Sequence, residues 1–319
     1  MLLLHAQQNR YAYSLQKMGS PFNIVFYSTS VQKADSVANE SFKLVDSINS
    51  ICSDYDTSAE LYKLRRYELG KPIKVSPILF ELLIAARQAY KDSYGSFDIT
   101  IGPLSLLWRS ARKSHIFPSP GAIDTARAMI GFRFIKLDTL SHSITFLKPG
   151  IQLDMGGIAK GYAADKVAAL LKSRGIINAL VDAGGDMMAM GSPPQKRGWR
   201  IGVNVPEQQE ALLDTKLLLA NKAVATSGDA FQYMLHDEKT YGHIIDARTG
   251  YGVTFQRNVT VVSPNATTAD WLATACSILP LNQVKILAKK YKSEVFITTI
   301  QNGRIRKISF GNFDAYWTQ

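Results

Sequence analysis

The stretch LDMGGIAKGYAAD, residues 153–165, decides how this chain is read. A short apolar run ends in Asp154, Gly156 and Gly157 make a tight turn, and a helix follows with Lys160 in its first turn. Such a helix start presents backbone N–H groups and the positive end of its dipole, and glycines let the backbone approach a ligand. Lys160 adds a full positive charge. Two readings stand side by side: a site for phosphate or another anion, and a plain turn with capping chemistry. The glycines follow neither the GxGxxG dinucleotide spacing nor the P-loop spacing.

Working outward, three more Gly/Asp/Ser/Thr-rich stretches each close a strand-like run: DAGGD at 182–186, TSGD at 226–229 and DARTG at 246–250. Several polar strand ends in one chain suggest a nucleotide-type ligand. Around them, alternation predicts strands at 18–30, 134–137, 143–147, 178–181, 187–190, 199–205, 222–226, 241–246 and 259–263. A hairpin is expected from 294–300 and 305–310 across Asn302-Gly303. Helical spacing predicts helices at about 31–51, 77–94, 158–174, 268–279 and 283–291, with Ser76-Pro77 as cap and first position and another start capped near Ser119. Strands and helices mix without strict βαβ alternation, which predicts an α+β fold with mixed, largely antiparallel sheets and flanking helices.

Composition bounds the function classes. The chain has 319 residues, 46% hydrophobic and 20% charged, with a formal charge of +11. Lys and Arg are spread along the chain with no like-charged block, so no nucleic-acid arm is expected. The basic balance fits a polyanionic small ligand, an acidic partner or an anionic membrane surface. Cys52 and Cys276 have no metal or disulfide spacing and read as small core residues. No apolar run approaches the roughly 20 residues of a membrane span. MLLLHAQQ at the N-terminus resembles the last part of a secretory signal, so residues 1–17 are expected to be an extension and 18–319 the domain.

Four constellations carry candidate chemistry. Asp270 and Thr274 lie four apart in ATTADWLATACSIL, so their oxygens share one helix face, with Asp270 expected in the first turn and outside the core. They read either as a helix-terminal acid and a threonine bonded back to a carbonyl, or as a hard-cation site. His243 in YGHIIDARTG, expected on a strand before a turn, is either a hydrogen-bonded strand-end histidine or a general base near neutral pH. The turns at Ser227-Gly228 and at Gly184-Gly185 expose N–H groups to a ligand or are simple turns. Asp98 in FDITIGPLSLLW accepts from an adenine amine or ribose hydroxyl, or caps the following segment.

Taken in order, MGSPF (18–22), FDITIGPLSLLW (97–108), LDMGGIAKGYAAD, ALVDAGGDMMAMG (179–191), WRIGVNVP (199–206), AVATSGD (223–229), HIIDARTG (243–250) and VTVVSPNATTADWLATA (259–275) resemble the ApbE family of FAD:protein FMN transferases. Met155 stands where leucine is more usual and Ala247 where proline is usual, and the family's lipid-anchor cysteine has no counterpart before Cys52. The resemblance implies transfer of FMN from FAD to a threonine hydroxyl of a partner flavoprotein, a membrane redox-complex subunit, with Mg²⁺ and release of AMP. It implies metal ligands Asp270, Thr274 and the Gly157 carbonyl. It implies an FAD site of Met18, Ser96, Phe97, Asp98, Asp154, Lys160, Ser227 and Gly228, and His243 as the base facing the pyrophosphate. It also implies a bacterial cell-envelope or periplasmic setting with peripheral membrane association. The alternatives are an FAD pyrophosphatase and a non-catalytic FAD-binding protein.

Overall fold

The computed structural model describes residues 8–203, 215–228, 233–254, 257–301 and 304–318. Its strands, in chain order, are β1 (Asn9–Lys17), β2 (Ser20–Ser28), β3 (Pro72–Lys74), β4 (Ile135–Asp138), β5 (Ser143–Phe146), β6 (Ala179–Ala183), β7 (Asp186–Met190), β8 (Trp199–Ile201), β9 (Leu217–Leu219), β10 (Lys222–Gly228), β11 (Tyr233–His236), β12 (Lys239–Gly242), β13 (Arg257–Ser263), β14 (Glu294–Gln301) and β15 (Arg304–Phe310). The helices are α1 (Val31–Cys52), α2 (Glu60–Lys63), α3 (Pro77–Asp92), α4 (Gly102–Ser114), α5 (Pro120–Ala128), α6 (Ala159–Ser173), α7 (Ala266–Ile278) and α8 (Leu281–Lys290).

Eight strands form one sheet in the order β1-β2-β6-β7-β10-β13-β14-β15, and every neighbouring pair is antiparallel. The expected α+β, largely antiparallel architecture is what the chain adopts. Alternation does the sorting: Phe22, Ile24 and Phe26 of β2 are fully buried on one face, where Val37, Phe42, Val45 and Ile48 of α1 meet the same core. The opposite face is covered by Trp199, Ile201, Leu217, Leu219 and Phe313 packed on Val224, Val262 and Phe296. Among the described residues no helix is long and apolar enough to cross a membrane.

Several boundaries moved. Residues 9–17, expected to precede the domain, form β1 and pair with β2 along their whole length, from Asn9↔Ser28 to Lys17↔Ser20. Polar alternation hid them: β1 is an edge strand whose residues are mostly exposed or half-buried. Residues 1–7, Asp229, Asn204, Val205 and the Asn302-Gly303 turn lie outside the described residues. The strand expected over 241–246 stops at Gly242, because Asp246 instead closes a turn, its carbonyl accepting from Thr249 N (3.1 Å) and Gly250 N (2.8 Å). Helix α7 begins at Ala266, two residues early, because Asn265 caps it by accepting from Thr268 N at 2.8 Å.

α7 is buried almost all round, as its apolar composition demands. It lies across α6, and the fit depends on Gly161: a Cβ there would stand 2.2 Å from the Ala266 carbonyl oxygen and 2.8 Å from Asp270 Cβ. From the last turn of the LDMGGIAKGYAAD stretch, Asp165 reaches the α7 N-terminus and accepts from Ala266 N and Thr267 N, both at 2.8 Å. The α6–α7 seam is therefore built by the stretch that opened the reading.

Candidate active site

A cavity of about 740 Å³ opens at the ends of β7, β10 and β13, between the α6–α7 seam and the segment from Ser96 to Arg112. Its size is that of a small-molecule or cofactor pocket. Of the residues expected from the sequence, Ser96, Phe97, Asp98, Asp154, Gly157, Lys160, Ser227, Gly228, His243, Asp270 and Thr274 all line it. Met18 is not among the lining residues; it sits in the β1–β2 turn with φ +51° and packs against the main core. That turn abuts the Gly184 turn, which does line the cavity.

One wall is the α6–α7 seam. Asp270 lies in the second turn of α7, not the first, and is 5% exposed, so the expectation of a residue outside the core is corrected. Its Oδ2 accepts from Gly161 N at 3.0 Å, and Oδ1 makes no hydrogen bond among the described residues. The N–H at the start of α6 expected to await a phosphate thus holds a carboxylate of the protein itself, which the helix dipole favours. Thr274 follows one turn later, and a Cβ on Gly157 would lie 3.0 Å from its Oγ1, so only a glycine brings the backbone of residue 157 this close. Asp186 is buried and pairs with Lys160 Nζ at 2.5 Å. Burial drives the Asp270 carboxyl well above the ordinary carboxylate range, and the neighbouring Asp186 drives it further. Burial also raises Asp186 against the pull of Lys160. Burial alone would lower the Lys160 ammonium, but Asp186 and Asp270 outweigh it and hold it above its usual value. The seam thus carries more buried carboxylate than cation.

The facing wall is closed on itself. Asp98, read as a ligand acceptor, is spent within the protein: Oδ1 accepts from Thr100 N (2.9 Å) and Thr100 Oγ1 (2.7 Å), and Oδ2 from Phe132 N (3.2 Å). Asp154 accepts from Gly156 N at 2.8 Å and from Arg109 at 2.9 Å, while Arg109 also holds Asp54 at 2.5 Å and lies under the Tyr55 ring. Here burial and the Asp154 charge raise the Asp54 carboxyl, opposed by Arg109. Ser96 Oγ is buried on this wall with no hydrogen-bond partner among the described residues, which fits a contact to a ligand.

His243 stands one residue beyond β12, where Gly242 N donates to Val253 O at 2.8 Å and Val253 N to Ile244 O at 2.9 Å. The turn that follows is locked despite Ala247: Asp246 pairs with Arg248 at 2.7 Å, and Trp108 Nε1 of α4 donates to Gly250 O at 2.8 Å. Sequence reasoning missed Tyr55, Arg109, Arg112 and Asn258, which also line the cavity. Asp54-Tyr55 lie in an aperiodic polar stretch, and no spacing rule joins residues 54, 109 and 154. Only Arg109 carried a signal, directly after LLW in a motif already noted.

For the metal that the resemblance implies, the donor set fits: one buried carboxylate oxygen, one hydroxyl and one backbone carbonyl, all oxygen, with room left for water and phosphate oxygens, as Mg²⁺ prefers. The surplus of buried carboxylate in the seam is a second point of fit.

The fold and cleft define an α+β protein with a polar, carboxylate-rich nucleotide-sized site at the ends of an antiparallel sheet. The chain belongs to the ApbE family, whose pattern matches residues 18–297. It is 30% identical over 261 residues to the FAD:protein FMN transferase of Klebsiella pneumoniae, covering 82% of this chain and 79% of that one. It is 30% identical over 288 residues to the FAD:protein FMN transferase of Chlamydia muridarum, covering 88% and 89%. Among solved structures, the ApbE protein of Thermotoga maritima superposes with a TM-score of 0.86 at 28% identity, covering 98% of this chain and 100% of that one. The apo flavinyl transferase ApbE of Pseudomonas stutzeri gives 0.84 at 26% identity, covering 99% and 98%.

Proposed function

We propose that this protein is a Mg²⁺-dependent FAD:protein FMN transferase that moves FMN from FAD to a threonine hydroxyl of a partner flavoprotein and releases AMP. The observation that carries the reading is the meeting of Asp270, Thr274 and the Gly157 backbone beside Lys160, in one cavity with His243. Asp270 Oδ1, Thr274 Oγ1 and the Gly157 carbonyl would hold the metal, which when bound supplies charge stabilisation at the phosphate oxygens. Lys160 adds a second positive charge, fixed in place by Asp186. Ser96 Oγ and Ser227-Gly228, which form the paired end of β10 and not the turn expected from the sequence, bind and orient the substrate. His243, at the mouth formed after β12, takes the proton of the incoming hydroxyl. The closed wall of Asp54, Arg109 and Asp154 keeps the Gly156 turn in position. The acceptor is then a flavoprotein of a membrane redox complex, and the setting the bacterial cell envelope.

The test is incubation with FAD, Mg²⁺ and an acceptor domain carrying the family's threonine-containing flavinylation motif. A fluorescent acceptor band on a denaturing gel, with AMP released and both lost in EDTA, is expected. AMP and free FMN without a band would make the protein a pyrophosphatase, and tight FAD binding without AMP would make it a binder. His243→Ala is expected to retain FAD affinity and slow transfer by about 10²-fold or more; an unchanged rate removes His243 from the chemistry.

A further inference from the structure

A second, open groove of about 460 Å³ lies beside the first cavity, lined by Lys239, Tyr241, Thr249, Tyr251 and Thr254 and reaching Ile278. Ile278, at the end of α7, lines both, so the groove adjoins the cleft across this residue. Its lining differs in kind from the cleft. Aromatic rings, threonine hydroxyls and a lysine with no ion pair among the described residues dominate it, and its one carboxylate, Asp246, is already paired with Arg248. Tyr241 and Tyr251 are braced from behind by Trp108, with ring centroids 6.0 and 6.3 Å away, so they form a fixed surface.

The hairpin β11–β12 forms one side of this groove and carries a second feature on its other face. Tyr233 and Leu235, two apart and so on the same face, are 55% and 70% exposed. Met234 and His236 point the other way; Met234 packs in the cluster around Trp108, and His236 stacks on Phe117 at 3.9 Å. The hairpin ends at Gly242, and the next residue is His243. One element thus joins an apolar face, a groove and the residue, His243, at which the hydroxyl must arrive.

Building on the transferase reading, we propose that this hairpin and groove are the docking surface for the acceptor flavoprotein. An extended segment of the acceptor lies along the groove between Tyr241 and Tyr251 with its hydroxyl residue at the Ile278 end, while an apolar side chain covers Tyr233 and Leu235 and a carboxylate meets Lys239. Continuity argues for this occupant. A polypeptide hydroxyl must approach the cleft from a neighbouring surface, and this groove borders it at Ile278, on the element that leads directly to His243. Aromatic rings at a rigid, partly apolar surface are also the side chains that dominate protein interfaces.

The test uses the full chain with three separate changes, none in the site assigned to FAD or metal: Thr254→Trp to fill the groove, Tyr233→Ala with Leu235→Ala to remove the apolar face, and Lys239→Glu to invert the charge. For each, the acceptor KM, kcat at saturating acceptor, FAD affinity and melting temperature are measured. Expected are a rise in acceptor KM of about tenfold or more, with kcat and FAD affinity within about twofold of the parent. Thr254→Trp and Lys239→Glu stand at exposed positions, so at least these two fold as the parent does. Parent-level KM in all three overturns the proposal while leaving the transferase reading intact. A fall in FAD affinity overturns it too, by making the groove part of the FAD site. A parent protein that labels no acceptor retires the transferase reading and this proposal together.

Discussion

The two walls of the cleft use the same residue types to opposite ends. On the wall from Ser96 to Arg112, every carboxylate named in the structure is answered: Asp98 by three donors, Asp154 by Gly156 N and Arg109, Asp54 by Arg109. On the α6–α7 wall, Asp270 and Asp186 share one Lys160 and one backbone N–H. A closed wall holds shape. A wall with surplus buried charge is costly by itself and is stabilised by what binds it. The lesson is that an aspartate in a motif has no fixed role; its count of donors assigns one.

The largest expected effect separates the walls directly. Asp270→Asn should lower metal-dependent turnover by roughly 10²–10³-fold, the scale of a lost electrostatic contact in a reaction site. It should not lower the melting temperature of the metal-free protein, since it removes a carboxylate that burial and Asp186 disfavour. Steady-state kinetics and thermal unfolding on one preparation check both; normal turnover would remove Asp270 from the metal site. Arg109→Ala should do the reverse. It leaves Asp54 without its cation and Asp154 with Gly156 N alone, and should cost about 3 kcal/mol of stability, the low end for a broken buried pair because the group is partly solvated. Denaturant unfolding reads the loss, and an unchanged midpoint would mean the triad is ornamental to the wall. Gly161→Ala places a methyl against the Ala266 carbonyl and should cost about 1–3 kcal/mol while loosening the seam around Asp270. If it is tolerated with metal affinity intact, the close approach of α6 and α7 does not position the site.

The smallest effect is in pH dependence, and its sign differs between regions. Asp186 and Asp270 are held above the ordinary carboxylate value by burial, so the folded protein keeps protons that the unfolded chain releases near pH ~4. Their contribution to metal-free stability is fully present below that pH and is lost as pH rises through the raised folded values. Asp92, half-buried under Lys290 and Tyr291, runs the other way: burial would raise it, but Lys290, Tyr291 and Gln88 outweigh this and lower it. Its contribution is present above pH ~4 and lost as pH falls through the depressed value. Unfolding midpoints between acid and neutral pH should therefore lose part of their alkaline-side decline in Asp270→Asn, Asp186 keeping the rest, and part of their acid-side decline in Asp92→Asn. Parallel curves for parent and both variants would contradict the assigned environments.

Legibility in the sequence followed range. Helix α1 was expected over 31–51 and spans Val31–Cys52, because helical spacing and the Ser30 cap are local signals. Strand β1 was missed because the alternation of an exposed edge strand is weak: only Tyr11, Tyr13 and Lys17 are half-buried, and the residues between them are exposed. Eleven of the expected site positions line one cavity, yet Met18 does not, and Tyr55, Arg112 and Asn258 were invisible to any local pattern.

By itself the sequence determined the α+β class, the chain order of the polar turns and the pairing of Asp270 with Thr274 on one helix face, all consequences of short-range periodicity. Tertiary structure decided which carboxylates are spent and which remain. Asp98 meets Phe132 from 34 positions away, Asp154 meets Arg109 from 45, and Gly161 N meets Asp270 from 109. No local pattern encodes a donor so distant in the chain, and in a buried site the donors present decide whether an acid is a strut or a ligand.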